Sequence, residues 1–231
     1  MKRKIINTAD GSKTIQLIGL DEQYHSIHGA LQESQHVFVN QGLLHFYSLN
    51  KSVKPITILE IGFGTGLNAM TTLAEITNSN LQVSFVGIEA YPVSEDEILE
   101  LNYGTQFTFE GSKQFFKIIH KNTWEKQHVI TSAFTLTKQK KYFSEISDIN
   151  MFDIIYFDAF APRIQPEHWT EDMFKIMYNA LKNKGILVTY SAKGSVRRAM
   201  QTVGFNVEKI QGPPGKREML RGTKYSASKQ S

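Results

Sequence analysis

Two short stretches bring together residue types and spacings that fit group transfer. In TILEIGFGTGLN, residues 57–68, a β-type apolar run carries Glu60 and then meets Gly62, Gly64 and Gly66. In FDIIYFDAFAP, residues 152–162, an apolar run ends on Asp158 and enters a short apolar loop. Glycines after a strand let backbone approach a ligand closely. A carboxylate at a strand end can orient an attacking group or take its proton.

The glycine loop narrows the ligand. A phosphate-binding P-loop needs a Lys after its last glycine, and here Leu67 and Asn68 follow Gly66. The dinucleotide fingerprint wants a third glycine where Leu67 stands. Glu60-x-Gly-x-Gly-x-Gly suits S-adenosylmethionine instead. Glu60 would lie near its cationic groups, and the loop Gly62, Phe63, Gly64, Thr65, Gly66, Leu67, Asn68 would receive its amino-acid part and ribose. Glu89, 23 residues after Gly66 at the tip of the next apolar run, is expected to accept the ribose hydroxyls. As a lone carboxylate before Pro92 it also reads as a helix N-terminal charge.

Asp158 is placed to orient an amine and take its proton, or, more plainly, to cap a loop. Phe160 and Trp169 would pack against a flat substrate or simply fill core, with Pro162 closing the loop between them. The seven histidines are scattered, His25 and His28 included. No carboxylate-rich cluster has metal-ligand spacing, so no metal is expected. There is no Gly-x-Ser-x-Gly elbow and no cysteine, which removes nucleophilic-elbow chemistry and disulfides.

These residues need strands to carry them. Residues 5–9 and 14–17 flank Asp10-Gly11, a hairpin signal, and the second part of 24–40 reads as helix. From Pro55 the pattern alternates. Strands are expected at Ile56–Ile61, Val83–Ile88, 128–136, Phe152–Phe157 and 186–190. Helices are expected at 67–76, 93–101, 115–124, 171–181 (capped by Thr170 and ended by Asn183-Lys184-Gly185) and 195–203. Residues 205–210 and 217–222 read as a closing antiparallel pair. Alternation of this kind predicts an α/β fold with a mostly parallel sheet covered on both faces, with ligands at the strands' carboxyl ends.

The bulk properties fit one buried core: 231 residues, 41% hydrophobic, with no apolar run long enough to span a membrane. The basic N-terminus lacks the apolar stretch of a secretory signal, and a cytoplasmic protein is expected. The net charge of +4 is uneven. From Lys182 onward eleven Lys/Arg face two acids, while the preceding residues hold 15 bases and 20 acids. Lys193, Arg197, Arg198, Lys216, Arg217 and Arg221 would suit phosphates of a folded RNA, or form a solvated basic end, with Glu218 able to pair one arginine.

Together the motifs resemble the tRNA 5-methylaminomethyl-2-thiouridine methyltransferase family of the MnmC type. The likeness rests on GFGTGLN at 62–68, DAFAP at 158–162 with Pro166 and Trp169, Val196-Arg197-Arg198, Gly204-Phe205 and GKREML at 215–220. Tyr24, Ser26, Leu31, Glu33 and Val37-Phe38 match the family's opening segment, so the resemblance spans about residues 24–222. It implies a Rossmann-like class I methyltransferase with N-terminal extra elements. S-adenosylmethionine would be the donor, and the 5-aminomethyl group of a wobble uridine in tRNA the acceptor. Tyr24, Ser26 and Glu33 would close over the cofactor, and Asp158 would face the amine. Residues 1–50 would pack as an extension on a methyltransferase domain at 51–222, with a disordered tail at 223–231. Bifunctional relatives add an FAD-dependent oxidase for which this length leaves no room, so FAD is not expected and separate enzymes would supply the aminomethyl precursor. The third strand lacks the expected adenine-contacting acid and leaves only the neighbourhood Ser132, Ala133 and Phe134. Competing readings are a methyltransferase for another RNA or a small-molecule amine, an NAD-dependent oxidoreductase opposed by Leu67, and an RNA-binding module with a vestigial loop.

Overall fold

A computed structural model of the chain describes residues 2–77 and 79–225. Strands β1 (Arg3–Asn7) and β2 (Lys13–Leu17) pair antiparallel across the Asp10-Gly11 turn, and β2 pairs with the short β3 (Glu22–Gln23). A helix follows in three stretches: α1 (Ala30–Ser34), a π-helical run Gln35–Leu44, and α2 (His45–Leu49). The expected helix is therefore present and runs on to Leu49. Its inner residues Val37, Phe38 and Leu43 join one cluster with Ile56, Ile58 and Tyr156 of the main sheet. Gly42 makes that contact close: a Cβ there would lie 3.0 Å from the Tyr156 ring and 3.2 Å from Val188.

The main sheet has the order β10-β11-β9-β8-β4-β5-β7-β6. Its parallel centre is β9 (Leu181–Thr189), β8 (Phe152–Phe157), β4 (Ile56–Ile61), β5 (Val83–Ile88) and β7 (Phe134–Gln139). The antiparallel β11 (Glu218–Lys224) and β10 (Phe205–Gln211) extend one edge, and β6 (Gln127–Thr131) the other. The β8 run FDIIYF is wholly buried, as a strand covered on both faces should be. On one face lie the N-terminal helix, α3 (Leu67–Thr77) and α6 (Ser112–Lys121), with α4 (Glu95–Glu100) and α5 (Tyr103–Gln106) in the connection before α6. On the other lie α7 (Glu171–Ala180) and α8 (Gly194–Thr202). Thr170 caps α7 by accepting from the Met173 N–H at 3.3 Å. After β4 the chain builds β5 and β7 on one side, then returns to place β8 on the other. The switch point therefore falls between β4 and β8, where a crevice opens at the carboxyl ends.

Beyond shifts of a few residues at helix and strand ends, three boundaries differ from the sequence reading. Residues 128–136 are not one strand: the chain turns at Ser132-Ala133, and β6 and β7 form an antiparallel pair. The strand's carboxyl end is thus Gln139, and Ser132, Ala133 and Phe134 lie at the opposite edge of the sheet from the crevice. Helix α7 stops at Ala180, because Leu181 is already extended, and β9 carries Lys182, Asn183 and Lys184 within the strand. Thr223 and Lys224 belong to β11 rather than a tail; the Lys224 ammonium donates to the Leu181 carbonyl at 2.6 Å. The tail expected at 226–231 lies outside the described residues. Among those residues no helix is long and apolar enough to cross a membrane.

Candidate active site

The crevice is a cavity of about 1060 Å³, just above the usual range for small-molecule pockets. Strand β4 ends where Gly62 turns with φ +88°; a Cβ there would meet the Asp158 carbonyl at 2.7 Å. Only glycine permits that approach, and it holds the loop against the end of β8. The Asp158 N–H donates to the Ile61 carbonyl at 3.0 Å, fixing where the carboxylate leaves the strand. Gly64 also has positive φ, and a Cβ on it would touch the Tyr24 ring at 3.1 Å. Bare backbone therefore faces the cavity at Gly62 and Gly64.

Of the residues singled out above, the cavity wall brings together Gly62, Gly64, Glu89, Asp158, Phe160, Tyr24, Ser26, Glu33 and Lys216. Glu89 accepts the Gly64 N–H at 3.0 Å and the Tyr91 N–H at 2.8 Å, so it stiffens the loop it faces. Tyr24 and Phe160 meet edge to face with centroids 5.0 Å apart. Glu33 accepts the Ser26 N–H at 2.8 Å and pairs with Lys216 at 2.8 Å. The Lys216 ammonium also lies 4.0 Å from the centre of the Tyr190 ring.

The other residues lie behind or outside the wall. Glu60 is fully buried and accepts from Asn68 Nδ2 at 2.8 Å, while its second oxygen has no partner. Burial, reinforced by Asp158, pushes its pKa well above the usual carboxylate range. It lies buried behind Asn68 and is not the exposed counter-charge expected for a cationic ligand. Asn68 links the two acids, donating to Asp158 Oδ2 at 2.8 Å as well. Phe63, Thr65 and Leu67 are buried, and the space beside Gly66 is taken by His120 and Phe63. Trp169 is buried with its indole N–H on the Phe160 carbonyl at 2.8 Å; it props the loop carrying Phe160 and offers no face to a substrate. Pro162 does not line the cavity either. Arg221 is buried, pairs with Glu208 at 2.9 Å across β10 and β11, and donates to the Gln41 carbonyl. It ties the sheet to the N-terminal helix and is not a surface cation. Lys193, Arg198 and Arg217 are exposed, and Arg197 is half-buried.

Asp158 is the titratable centre. Burial and then the Glu33 charge raise its pKa to about 7, against the lowering effects of Asn68 and Lys216. A carboxyl poised there can exchange a proton at neutral pH. Sequence reasoning missed His25, which lines the same wall. Burial lowers its pKa to about 4, so it is neutral. Nothing in its spacing sets it apart from six other histidines; its signal was its place between Tyr24 and Ser26. Also missed were Arg163, paired with Glu22 at 3.0 Å, and the rim tyrosines Tyr91 and Tyr142, 64% and 55% exposed with rings 6.0 Å apart. Among the described residues no group of His, Asp and Glu could hold a metal ion.

A parallel sheet with its crevice at the switch point, a glycine loop after the first central strand and an acid at the tip of the next form an α/β arrangement suited to a nucleoside ligand. Residues 112–225 match a family model described as S-adenosyl-L-methionine-dependent methyltransferase. MnmC of Actinobacillus pleuropneumoniae, named as a tRNA 5-methylaminomethyl-2-thiouridine biosynthesis bifunctional protein, is 29% identical over 229 residues, covering 90% of this chain and 33% of its own length. MnmC of Idiomarina loihiensis is also 29% identical, over 220 residues, covering 90% of this chain and 36% of its own. The chain thus spans about a third of the length of these curated relatives. The crystal structure of MNMC2 from Aquifex aeolicus superposes with TM-score 0.79 at 26% identity, over 97% of this chain and 72% of that one. Spermidine synthase from Thermotoga maritima shares the fold alone, with TM-score 0.55 at 14% identity. The chain is thus similar to S-adenosyl-L-methionine-dependent methyltransferases over residues 112–225 and to the MnmC relatives over most of its length.

Proposed function

We propose that the chain transfers a methyl group from S-adenosylmethionine to the primary amine of the 5-aminomethyl group on the wobble (2-thio)uridine of tRNA. The observation that carries this reading is Asp158: a buried carboxylate poised near neutrality, in the same cavity as the bare backbone of Gly62 and Gly64 and the Glu89 carboxylate. The relatives' printed name supplies the acceptor.

The donor set fits a nucleoside with an amino-acid arm. The glycine backbone admits close approach, and each Glu89 oxygen keeps a second lone pair for a ribose hydroxyl. The buried Glu60 and Asn68 support this floor from behind. When bound, S-adenosylmethionine supplies an electrophilic methyl group. Asp158 takes a proton from the acceptor ammonium, freeing the nitrogen lone pair for in-line attack. Asn68 holds Oδ2; among the described residues no group donates to Oδ1, which is left for the amine. Tyr24 and Phe160 flank the acceptor, and Lys193, Arg198 and Arg217 give the neighbouring surface cations for tRNA phosphates.

The test is transfer of labelled methyl from S-adenosylmethionine to tRNA from cells lacking this protein, followed by nucleoside analysis. Label in 5-methylaminomethyl(-2-thio)uridine is expected. Cofactor binding without label would remove the acceptor, and absence of both would remove the reading of the glycine loop.

A further inference from the structure

His25 is the buried titratable group on the cavity wall that the reaction above leaves without a task. Its backbone N–H donates to Thr14 Oγ1 at 3.0 Å, so β2 anchors it. Its Nε2 lies 2.7 Å from Thr65 Oγ1 of the glycine loop, and its Nδ1 lies 4.0 Å from Asp158 Oδ2. The ring therefore stands between the loop and the carboxylate.

The neighbours decide which nitrogen carries the hydrogen. Tyr103 is fully buried, and its hydroxyl has no partner within hydrogen-bond limits; Thr65 is the group that most offsets its burial. A buried hydroxyl has to donate somewhere, and Thr65 is the acceptor at hand. Passing the Thr65 hydrogen to His25 Nε2 gives all three groups a partner and puts the single hydrogen of the neutral ring on Nδ1, toward Asp158. At 4.0 Å this pair is longer than a hydrogen bond; contacts of this kind tighten when substrate binds.

We infer that His25 is a positioning residue for Asp158: its neutral imidazole turns an N–H on the carboxylate and keeps it ionised and aimed at the acceptor amine. The inference rests on the proposed amine methylation. The proton balance is simple. Asp158 removes one proton from the ammonium, the nitrogen forms a bond to the methyl carbon as the carbon–sulfur bond breaks, and Asp158 later releases its proton to water. His25 gains and loses none. The other groups bearing on Asp158 are Glu33 and Lys216 at the wall, Asn68 with Glu60 behind it, and the phenols of Tyr103 and Tyr190. Neither phenol is charged at neutral pH, and Lys216 offsets Glu33 only in part. His25 is thus the neutral donor that can tip the balance toward the carboxylate.

The experiment has two readouts on the full chain. One is the titration of the Asp158 carboxyl by carbon-13 NMR, which needs no turnover. The other is the pH profile of kcat with labelled S-adenosylmethionine and tRNA from cells lacking this protein. His25→Leu and His25→Phe both delete the donor; His25→Gln keeps one. In either donor-less variant the Asp158 midpoint and the rising limb of kcat are expected to move up by about one pH unit, the size of a lost hydrogen bond to a charged group. His25→Gln should stay near the wild type, and the Kd for S-adenosylmethionine should remain within about twofold throughout. A donor-less variant that titrates like the wild type would overturn the inference. So would a His25→Gln shift as large as the others, since His25 would then be only a tie between β2 and the loop. If the wild type methylates no tRNA, the acceptor reading fails while the NMR titration still decides the role of His25.

Discussion

Asp158 is held in two opposed ways by the same burial. The folded chain keeps its proton up to about pH 7, whereas an exposed aspartate carboxyl releases it near 3.8. Between those values the native state binds the proton and the unfolded state does not, so this group makes folding less favourable as pH rises from about 4 to about 7. The loss is at most ~4 kcal/mol and is complete above about pH 7. Activity runs the opposite way, because the base form appears over the upper part of that window. Asp158→Asn should therefore lower kcat by about 100-fold or more while leaving the Kd for S-adenosylmethionine within a few fold. It should also raise Tm at pH 8 by at least about 2 °C, because an uncharged amide replaces a buried charge. Turnover near the wild-type rate would end the catalytic assignment, and an unchanged Tm would end the energetic one.

Elements place this carboxylate. The π-helical run Gln35–Leu44 lies against β8 and β9 at Gly42, the point of closest approach to Tyr156 and Val188. Both partners are fully buried, so neither can move aside cheaply. Gly42→Val should destabilise by about 2 kcal/mol through overpacking, lowering Tm by about 4–8 °C for a chain of this size. Because the same helix carries Glu33 to the wall through α1, the variant should also weaken cofactor binding. A thermal scan with a binding titration checks both, and a wild-type Tm would show that the contact can relax.

For the whole molecule, charge is the governing quantity. The excess of bases after Lys182 is not all available to a polyanion. Arg221 and Lys224 are buried in internal bonds, Lys209 pairs with Glu218 at 2.9 Å, and Lys216 pairs with Glu33. Lys193, Arg198 and Arg217, the last 90% exposed with only a 3.7 Å contact to Glu218, remain beside the carboxyl edge of the sheet. Reversing these three to Glu should weaken tRNA binding and reduce the slope of log K against log salt by about two to three. Cofactor affinity should not change. A slope equal to that of the wild type would move the tRNA elsewhere on the surface.

The alternation of apolar runs with glycines and caps was enough to read the parallel sheet, the glycine loop, and Asp158 and Glu89 at strand ends. These are local properties: a buried strand must be apolar throughout, and a tight turn after it must contain glycine. Tertiary structure alone decided which charges are free. Glu60 and Arg221 read in sequence as ligand-facing groups, yet one lies behind Asn68 and the other within the sheet. His25 gave no periodic signal, because its role depends on Thr65 and Asp158, 40 and 133 positions away. The ionisation of a carboxylate and the solvation of a guanidinium depend on what distant segments pack around them, and a one-dimensional pattern does not carry that information.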